Sequence, residues 1–398
     1  MRKIKVLHIS QATGGVQRHV IDIVSRMDKN IFEVTGVCPP QDLVKGVSLD
    51  KESFLRAFER SGAAAHPIKM HREIRPLGDL AAFVKIYRFI KKEGFDVVHA
   101  HSSKAGFLAR IAARMAGVPV IIYTPNNFAF DRPPRMVFHR TFFGLLEKFA
   151  GLFCDMVFAV CRDELELAVR LGILPREKVT LISNTADISS AVSAADVSAK
   201  RRELGIGESE KIVISVGRLA AQKAPLEFLK AARQVLEKYK DARFLFLGDG
   251  PLAKKAADFI SRRGLADRVK LLGWRDDAAA IIAASDIFVL SSSWEVLPNH
   301  SLLDALALGK PAVITAVSGA SDVVINGYNG YIAPVGDHVF LARRILGLLA
   351  LPAEDLRIFG RHSREIVEKR PAPADITRTV ENTYMRLLFA KGALHDWT

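Results

Sequence analysis

Short apolar runs rich in β-branched and aromatic residues alternate with stretches of helical periodicity along almost the whole chain, and this alternation limits the fold more than any other feature. Lys5 to Ser10 reads as a buried strand that empties into QATGG (Gln11 to Gly15), and VQRHVIDIVSRM follows with helical spacing. Asp96 to His101, Val118 to Pro125, Met156 to Val160, Lys178 to Ser183, Lys211 to Val216, Ile287 to Leu290 and Asn329 to Pro334 repeat the strand pattern. Helices are expected between them, at Asp79–Lys92, Asp163–Leu171 and Leu226–Tyr239 among others. Strands buried on both faces read as continuous apolar runs, so the pattern implies parallel sheets covered by helices on both sides. At 398 residues the chain is too long for one core, and two doubly wound α/β domains are expected.

The composition shifts at Asp187 to Ala199, an Ala/Ser-rich stretch without a strong period, which reads as a linker with a short helix, Ala199–Leu204, behind it. The expected boundaries are therefore 1–186, 187–370 and a terminal segment 371–398. That segment, after the break at Pro371 and Pro373, is amphipathic (DITRTVENTYMRLL) and needs a partner surface. Three cysteines without CxxC spacing suit a reducing cytoplasm. MRKIKVLHIS enters a strand pattern at once, so no signal peptide is expected. Charges at Glu147, Lys148 and Asp155 interrupt the most apolar region, Phe142 to Val160, which is not a transmembrane span.

The formal charge of +14 points to acidic partners. Nucleic acid is disfavoured, because the chain has neither an RNP-like aromatic strand nor a Cys/His finger. An anionic membrane surface or a polyprenyl-phosphate substrate fits better. The segment Arg132 to Phe149 is expected to touch such a surface: Arg135, Phe138, Phe142 and Phe149 share a helix face, with Arg140 and Lys148 nearby. The alternative is an ordinary helix burying its phenylalanines against its own sheet.

Chemistry concentrates in Ile287 to Val313. A buried strand ends in three serines, a turn with Pro298 and Asn299 follows, and a helix stops at Gly309 with Pro311 behind it. Glu295 and Asp304 flank the helix start, where backbone N–H groups favour an anion. Carboxylates there would repel a bare phosphate, so they are read as acceptors for hydroxyls, and the ligand as one with both phosphate and polyol: a nucleotide sugar. Arg218 and Lys223 leave another strand on one loop and can converge on a diphosphate, the arginine through its fork and the lysine as a point charge. Gly14 and Gly15 let a backbone approach a ligand, but the pattern is not GxGxxG and a dinucleotide site is disfavoured. His101, Ser102, Ser103 and Lys104 lie at a strand's carboxyl edge, as does the loop beginning Asn126-Asn127; His99, within its strand, reads as a core histidine.

In that order and spacing, SVGRLAAQKAP, FLGDGP and SSSWEVLPNHSLLDALALGKPAV resemble the donor domain of the GT-B, family-4-type retaining glycosyltransferases (glycosyltransferase group 1). GGVQRHV, DVVHAHSSKAG and the YTPNNFAF loop resemble the acceptor domain, so the likeness covers nearly the whole chain. It implies two facing Rossmann-like domains with a central cleft, the donor in the second, and a terminal helix crossing back to the first. It implies that Arg218 and Lys223 bind the donor diphosphate, with the backbone of Gly14 and Gly15 against it. Glu295 would hold the sugar hydroxyls, the backbone of Val296, Leu297 and Pro298 would line that pocket, and Asp304 would meet the ribose. Gly273, Trp274 and Arg275 would meet the nucleobase. Arg18, His101, Ser102, Lys104, Asn126 and Asn127 fall on the acceptor side.

Two departures stand out. The family's carboxylates have seven residues between them, whereas eight lie between Glu295 and Asp304, and the extra one is expected in the turn near His300. Asn126 stands where the family has a histidine, and an amide can hydrogen-bond but not carry a proton. The implied reaction occurs on one face of the sugar, the departing phosphate taking the acceptor hydroxyl's proton while Arg218, Lys223, Glu295 and Asn126 position and stabilise. No DxD motif is present, which agrees with a site that needs no metal or other cofactor. The expectation is a metal-independent hexosyltransferase, UDP-sugar favoured, serving a lipid-linked or glycan acceptor in polysaccharide synthesis, cytoplasmic or peripheral on the membrane's inner face. Two alternatives stay open: a degenerate homologue that binds nucleotide sugar as a sensor or partner subunit, and a hydrolysing epimerase, which would need acid/base carboxylates not evident here.

Overall fold

A computed structural model describes residues 2–11, 14–40, 54–71, 73–131, 137–186 and 193–394. They form two compact units, one running to Asn184 and resuming at Pro373, the other Thr185–Ala372. The first holds strands β1 (Ile4–Ser10), β2 (Phe32–Cys38), β3 (Ala64–Pro67), β4 (Val97–His101), β5 (Val120–Thr124), β6 (Met156–Ala159) and β7 (Val179–Leu181). They pair in parallel in the order β3-β2-β1-β4-β5-β6-β7. The second holds β8 (Lys211–Val216), β9 (Ala242–Leu247), β10 (Val269–Gly273), β11 (Ile287–Leu290), β12 (Ala312–Thr315) and β13 (Gly330–Ala333), in the order β10-β9-β8-β11-β12-β13. Both sheets carry an apolar cluster on each face, which is why the strands lack polar alternation.

The helices of the first unit are α1 (Gly15–Arg26), α2 (Phe54–Arg60), α3 (Pro76–Glu93), α4 (Ser103–Ala116), α5 (Val137–Gly151) and α6 (Arg162–Arg170). The second has α7 (Ala194–Glu203), α8 (Pro225–Lys238), α9 (Ala253–Arg262), α10 (Ala278–Ala284), α11 (His300–Ala307), α12 (His338–Leu349) and α13 (Ala353–Glu368). The last helix, α14 (Pro373–Ala390), belongs to the first unit. Its residues Ile376, Val380, Tyr384 and Leu388, four apart and so on one face, pack in the same cluster as Val20, Ile23 and Val24 of α1.

One expected element shifts. The reading of Asp187 to Ala199 as linker meets a helix: α7 begins at Ala194 behind a capping box in which Ser193 accepts from the Asp196 amide and Asp196 accepts from the Ser193 amide. Residues 187–192 lie outside the described residues. His300, near which the extra residue is expected, opens α11 behind Asn299, whose side chain caps the Leu302 amide.

Helix α5 is inverted for a surface helix. Its carboxylate Glu147 is buried and meets the fully buried guanidinium of Arg110 on α4 at 2.6 Å, while Tyr123 donates its hydroxyl to the same carboxylate at 3.1 Å. The guanidinium also lies 3.9 Å over the Tyr123 ring. Phe142, Leu145, Phe149 and Leu152 are exposed. Of the residues expected at a membrane, Phe142 and Phe149 are therefore at the surface with Arg140 and Lys148; Arg132 and Arg135 lie outside the described residues, as does the side chain of Phe138. Among the described residues no helix is long and apolar enough to cross a membrane.

Candidate functional site

In each sheet the strand order reverses once, between β1 and β4 and between β8 and β11. Crevices form outside the carboxyl ends of strands at such points, because the loops on either side diverge to opposite faces. The segments at these ends include Gln11, Gly14 and Gly15 and His101–Lys104 in the first unit, and Gly217–Lys223 and Ser291–Glu295 in the second.

In the second unit the three serines explain why distant side chains meet. Ser291 donates to the Lys223 carbonyl at 2.9 Å, and the Ser293 amide donates to the Gln222 carbonyl at 2.8 Å. With the two loops so joined, Lys223 Nζ lies 2.5 and 2.6 Å from the two oxygens of Glu295. Ser292 donates to Glu295 Oε2 at 2.8 Å, and Thr315 fixes the Ser292 carbonyl at 2.7 Å. Arg218 is partly buried on the same loop as Lys223. Beneath that loop runs FLGDGP: the Gly217 amide donates to Leu247, and the Leu219 amide to Asp249, both at 2.9 Å. A Cβ on Gly248 would lie 2.1 Å from the Gly217 carbonyl oxygen, so only glycine admits this approach.

Val296 and Leu297 are held by the loop beyond β12, the Leu297 amide donating to Ser318 at 2.8 Å, and Pro298 leads into the Asn299 cap of α11. Asp304 lies within α11, and Gly273 and Trp274 end β10 with the indole exposed. The Arg275 guanidinium is gripped by Asp277 at 2.6 and 2.7 Å and by Glu203 at 2.5 Å, which raises its pKa and holds Asp277 below the usual carboxylate range. Of the two side chains, Arg275 is thus engaged within the unit while the Trp274 indole is open to solvent.

In the first unit Gly14 precedes α1 with φ 72°, and among the described residues no side chain caps the helix that Gly15 opens. Arg18, one turn on, is exposed and lies 3.9 Å from Asp22. Asn126 and Asn127 take positive φ, 50° and 90°, which Asn tolerates better than most residues. Glu164 pins this loop, accepting from the amides of Asn127 at 2.8 Å and Val160 at 2.9 Å. Lys104 is committed elsewhere, to Asp79 and to the carbonyls of His71 and Glu73. His101 and Ser102 are buried, and among the described residues His101 Nδ1 and Ser102 Oγ have no hydrogen-bond partner. Ser292, Gln11 (which reaches the His71 carbonyl at 2.6 Å) and Glu164 were not expected as parts of the site.

Below the β1/β4 edge lies a buried layer of four histidines. His8 Nδ1 is 3.0 Å from His101 Nε2, His19 Nδ1 is 2.8 Å from Asn184 Oδ1, and His99 bridges Tyr384 at 2.6 Å and Thr124 at 2.8 Å. Although His8, His99 and His101 are close enough for metal ligands, both nitrogens of His99 are already engaged, as befits the core histidine expected there. Burial, then the charges of His19 and Lys29, pushes His8 down to about 3; burial, against the Asn184 hydrogen bond, pushes His19 down to about 4. Burial first and the neighbouring imidazoles next hold His99 and His101 well below 6.5. Unfolded imidazoles titrate near 6.5, so the unfolded chain binds more protons below that pH. The layer's stabilisation is complete above pH 6.5 and is lost as pH falls toward the folded values. For His8 and His19 the loss at pH 5 is roughly 2 kcal/mol each. The urea midpoint should drop between pH 7 and pH 5, and His19→Gln should flatten the slope; a pH-independent midpoint would contradict this.

Two parallel doubly wound units with these loops at their switch points define a GT-B glycosyltransferase fold. Residues 196–366 match the family described as glycosyl transferases group 1, and residues 14–185 match the glycosyl transferase 4-like domain. The chain belongs to the group 1 glycosyltransferases. It is 30% identical over 343 residues to the Escherichia coli UDP-Gal:α-D-GlcNAc-diphosphoundecaprenol α-1,3-galactosyltransferase, covering 84% of this chain and 85% of that one. It is 27% identical to the Bacillus anthracis N-acetyl-α-D-glucosaminyl L-malate synthase over 79% of this chain and 80% of that one. Among solved structures, Anabaena Alr3699/HepE in complex with UDP-glucose superposes with a TM-score of 0.78 at 21% identity, over 96% of this chain and all of that one.

Proposed function

We propose that the protein is a retaining, metal-independent hexosyltransferase that moves a sugar from a nucleotide diphosphate, UDP-sugar favoured, to a lipid-linked acceptor in cell-surface polysaccharide assembly. The observation that carries the reading is the meeting of Lys223 with Glu295 at the carboxyl edge of β8 and β11, beside Arg218. A cation and a carboxylate side by side suit the two ends of a diphospho-sugar. Arg218 and Lys223 neutralise the charge that grows on the departing diphosphate, the work a metal does elsewhere. Glu295 accepts from the sugar hydroxyls and fixes the ring, and the leaving phosphate oxygen takes the acceptor hydroxyl's proton on the same face. The names of the E. coli and B. anthracis relatives favour a glycosyl acceptor of diphospho-lipid or small-molecule type, and the basic chain favours the lipid.

The test is incubation with UDP-, GDP- and ADP-sugars, read by thermal shift and by transfer to polyprenyl-diphosphate-linked sugars, with the anomeric product assigned by NMR. Stabilisation by a nucleotide sugar and an anomer matching the donor are expected; an inverted product or no binding would overturn the reading. Binding without transfer to any acceptor would favour a sensor, the reading that Asn126 supports. Asn126→His separates these, because histidine also tolerates the local backbone.

The same reading places the protein in the cytoplasm, against the membrane's inner face. Helix α5 offers Phe142, Leu145 and Phe149, and Leu152 just beyond it, with Arg140 and Lys148 exposed nearby. Each cation near an anionic surface contributes about 1 kcal/mol. Co-sedimentation with phosphatidylglycerol vesicles should weaken with salt and drop when Arg140 and Lys148 become glutamate. Equal sedimentation of variant and parent would remove α5 from the membrane.

A further inference from the structure

Lys223 and Glu295, which the donor-site reading assigns to opposite ends of the ligand, are bonded to each other. Both carboxylate oxygens lie within 2.6 Å of Lys223 Nζ, and the second also accepts from Ser292. Glu295 is 9% exposed and Ser292 1%, so the carboxylate has little water to turn to. The loops bearing the pair are joined by Ser291 and Ser293, which keeps it closed by default.

We propose that this ion pair lets the site tell a loaded nucleotide from a spent one; the inference rests on the donor-site reading above. Sugar hydroxyls are hydrogen-bond donors, so an intact donor can replace Lys223 on Glu295 and release the ammonium to the diphosphate. A nucleoside diphosphate lacks the transferred sugar and brings none of its hydroxyls to Glu295. It must draw Lys223 away from a buried carboxylate that is left with Ser292 alone, and a buried charge deprived of its partner is costly. The sugar and diphosphate ends therefore bind cooperatively, and the nucleotide product is held weakly once its sugar has left.

Calorimetric titration tests this with UDP against UDP-galactose, UDP-glucose and UDP-N-acetylglucosamine, and with GDP against GDP-mannose. In Glu295→Gln the ammonium is free in advance, so the nucleoside diphosphate should bind about tenfold tighter while the nucleotide sugar gains nothing. Ser292→Ala should act oppositely, weakening the nucleoside diphosphate several-fold by removing the last partner of Glu295. In a Lys223→Met background, Glu295→Gln should change nucleoside diphosphate affinity by less than about twofold, since the coupling runs through the lysine. Equal affinities in parent and Glu295→Gln would overturn the proposal. So would an undiminished gain in the Lys223→Met background, which would mean simple repulsion of phosphate by the carboxylate. Failure of the parent to bind any nucleotide or nucleotide sugar would instead overturn the donor-site reading itself.

Discussion

Lys223→Ala is expected to lower kcat/KM between about 10- and 150-fold, the rate equivalent of a charge-assisted hydrogen bond of ~1.5–3 kcal/mol. The loss should fall mainly on kcat, because the charge that Lys223 meets is greatest when the sugar–phosphate bond is breaking. Arg218→Lys keeps the charge but loses the planar fork, and should also slow turnover. Arg218→Lys leaves the apolar clusters beneath the loop untouched and should melt near the parent temperature, whereas Lys223→Ala deprives the buried Glu295 of its counter-charge and should melt lower. Unchanged donor affinity and turnover in both variants would place the diphosphate elsewhere.

Glu147→Ala should cost about 3–5 kcal/mol of folding stability, because it leaves the Arg110 guanidinium buried without a counter-charge. Replacing both residues with apolar ones of similar volume, Arg110→Met with Glu147→Leu, should restore much of that loss. Urea unfolding of the single and double variants measures both. A single variant as stable as the parent would mean that water reaches Arg110 when Glu147 is gone. The pair also fixes the rotation of α5, so the single variant should disturb the exposed stripe and any vesicle binding it supports.

The two sheets were readable in the sequence because strands buried on both faces leave an unbroken apolar signature, as in Met156–Ala159 and Ile287–Leu290. The first half of helix α7, before the expected helix at Ala199–Leu204, was not, since AADVSAKRRE has no apolar stripe; it is fastened by its Ser193 cap and by Lys200 to Asp277 and Arg201 to Asp286. Helix α2 was also overlooked, being only 7 residues long. At the site, Arg218 and Lys223 could be paired on paper because they leave one strand on one loop. The part of Ser292 could not, because the reach of a hydroxyl depends on how the turn after β11 folds. The histidine layer was equally hidden: His99 meets Tyr384 across 285 residues, a separation that local pattern cannot bridge.

The placement of α14 fixes the order in which the molecule can be completed during synthesis. Domains generally fold as units while the chain emerges from the ribosome. Here the second unit is finished at Ala372, while the first, made earlier, still lacks the helix that supplies Tyr384 to His99 and Val380 to its core. The domain translated first is therefore the last to mature. A chain ending near residue 372 would hold a complete second unit, while the His8, Val20 and His99 face of the first is still open to water or to a chaperone.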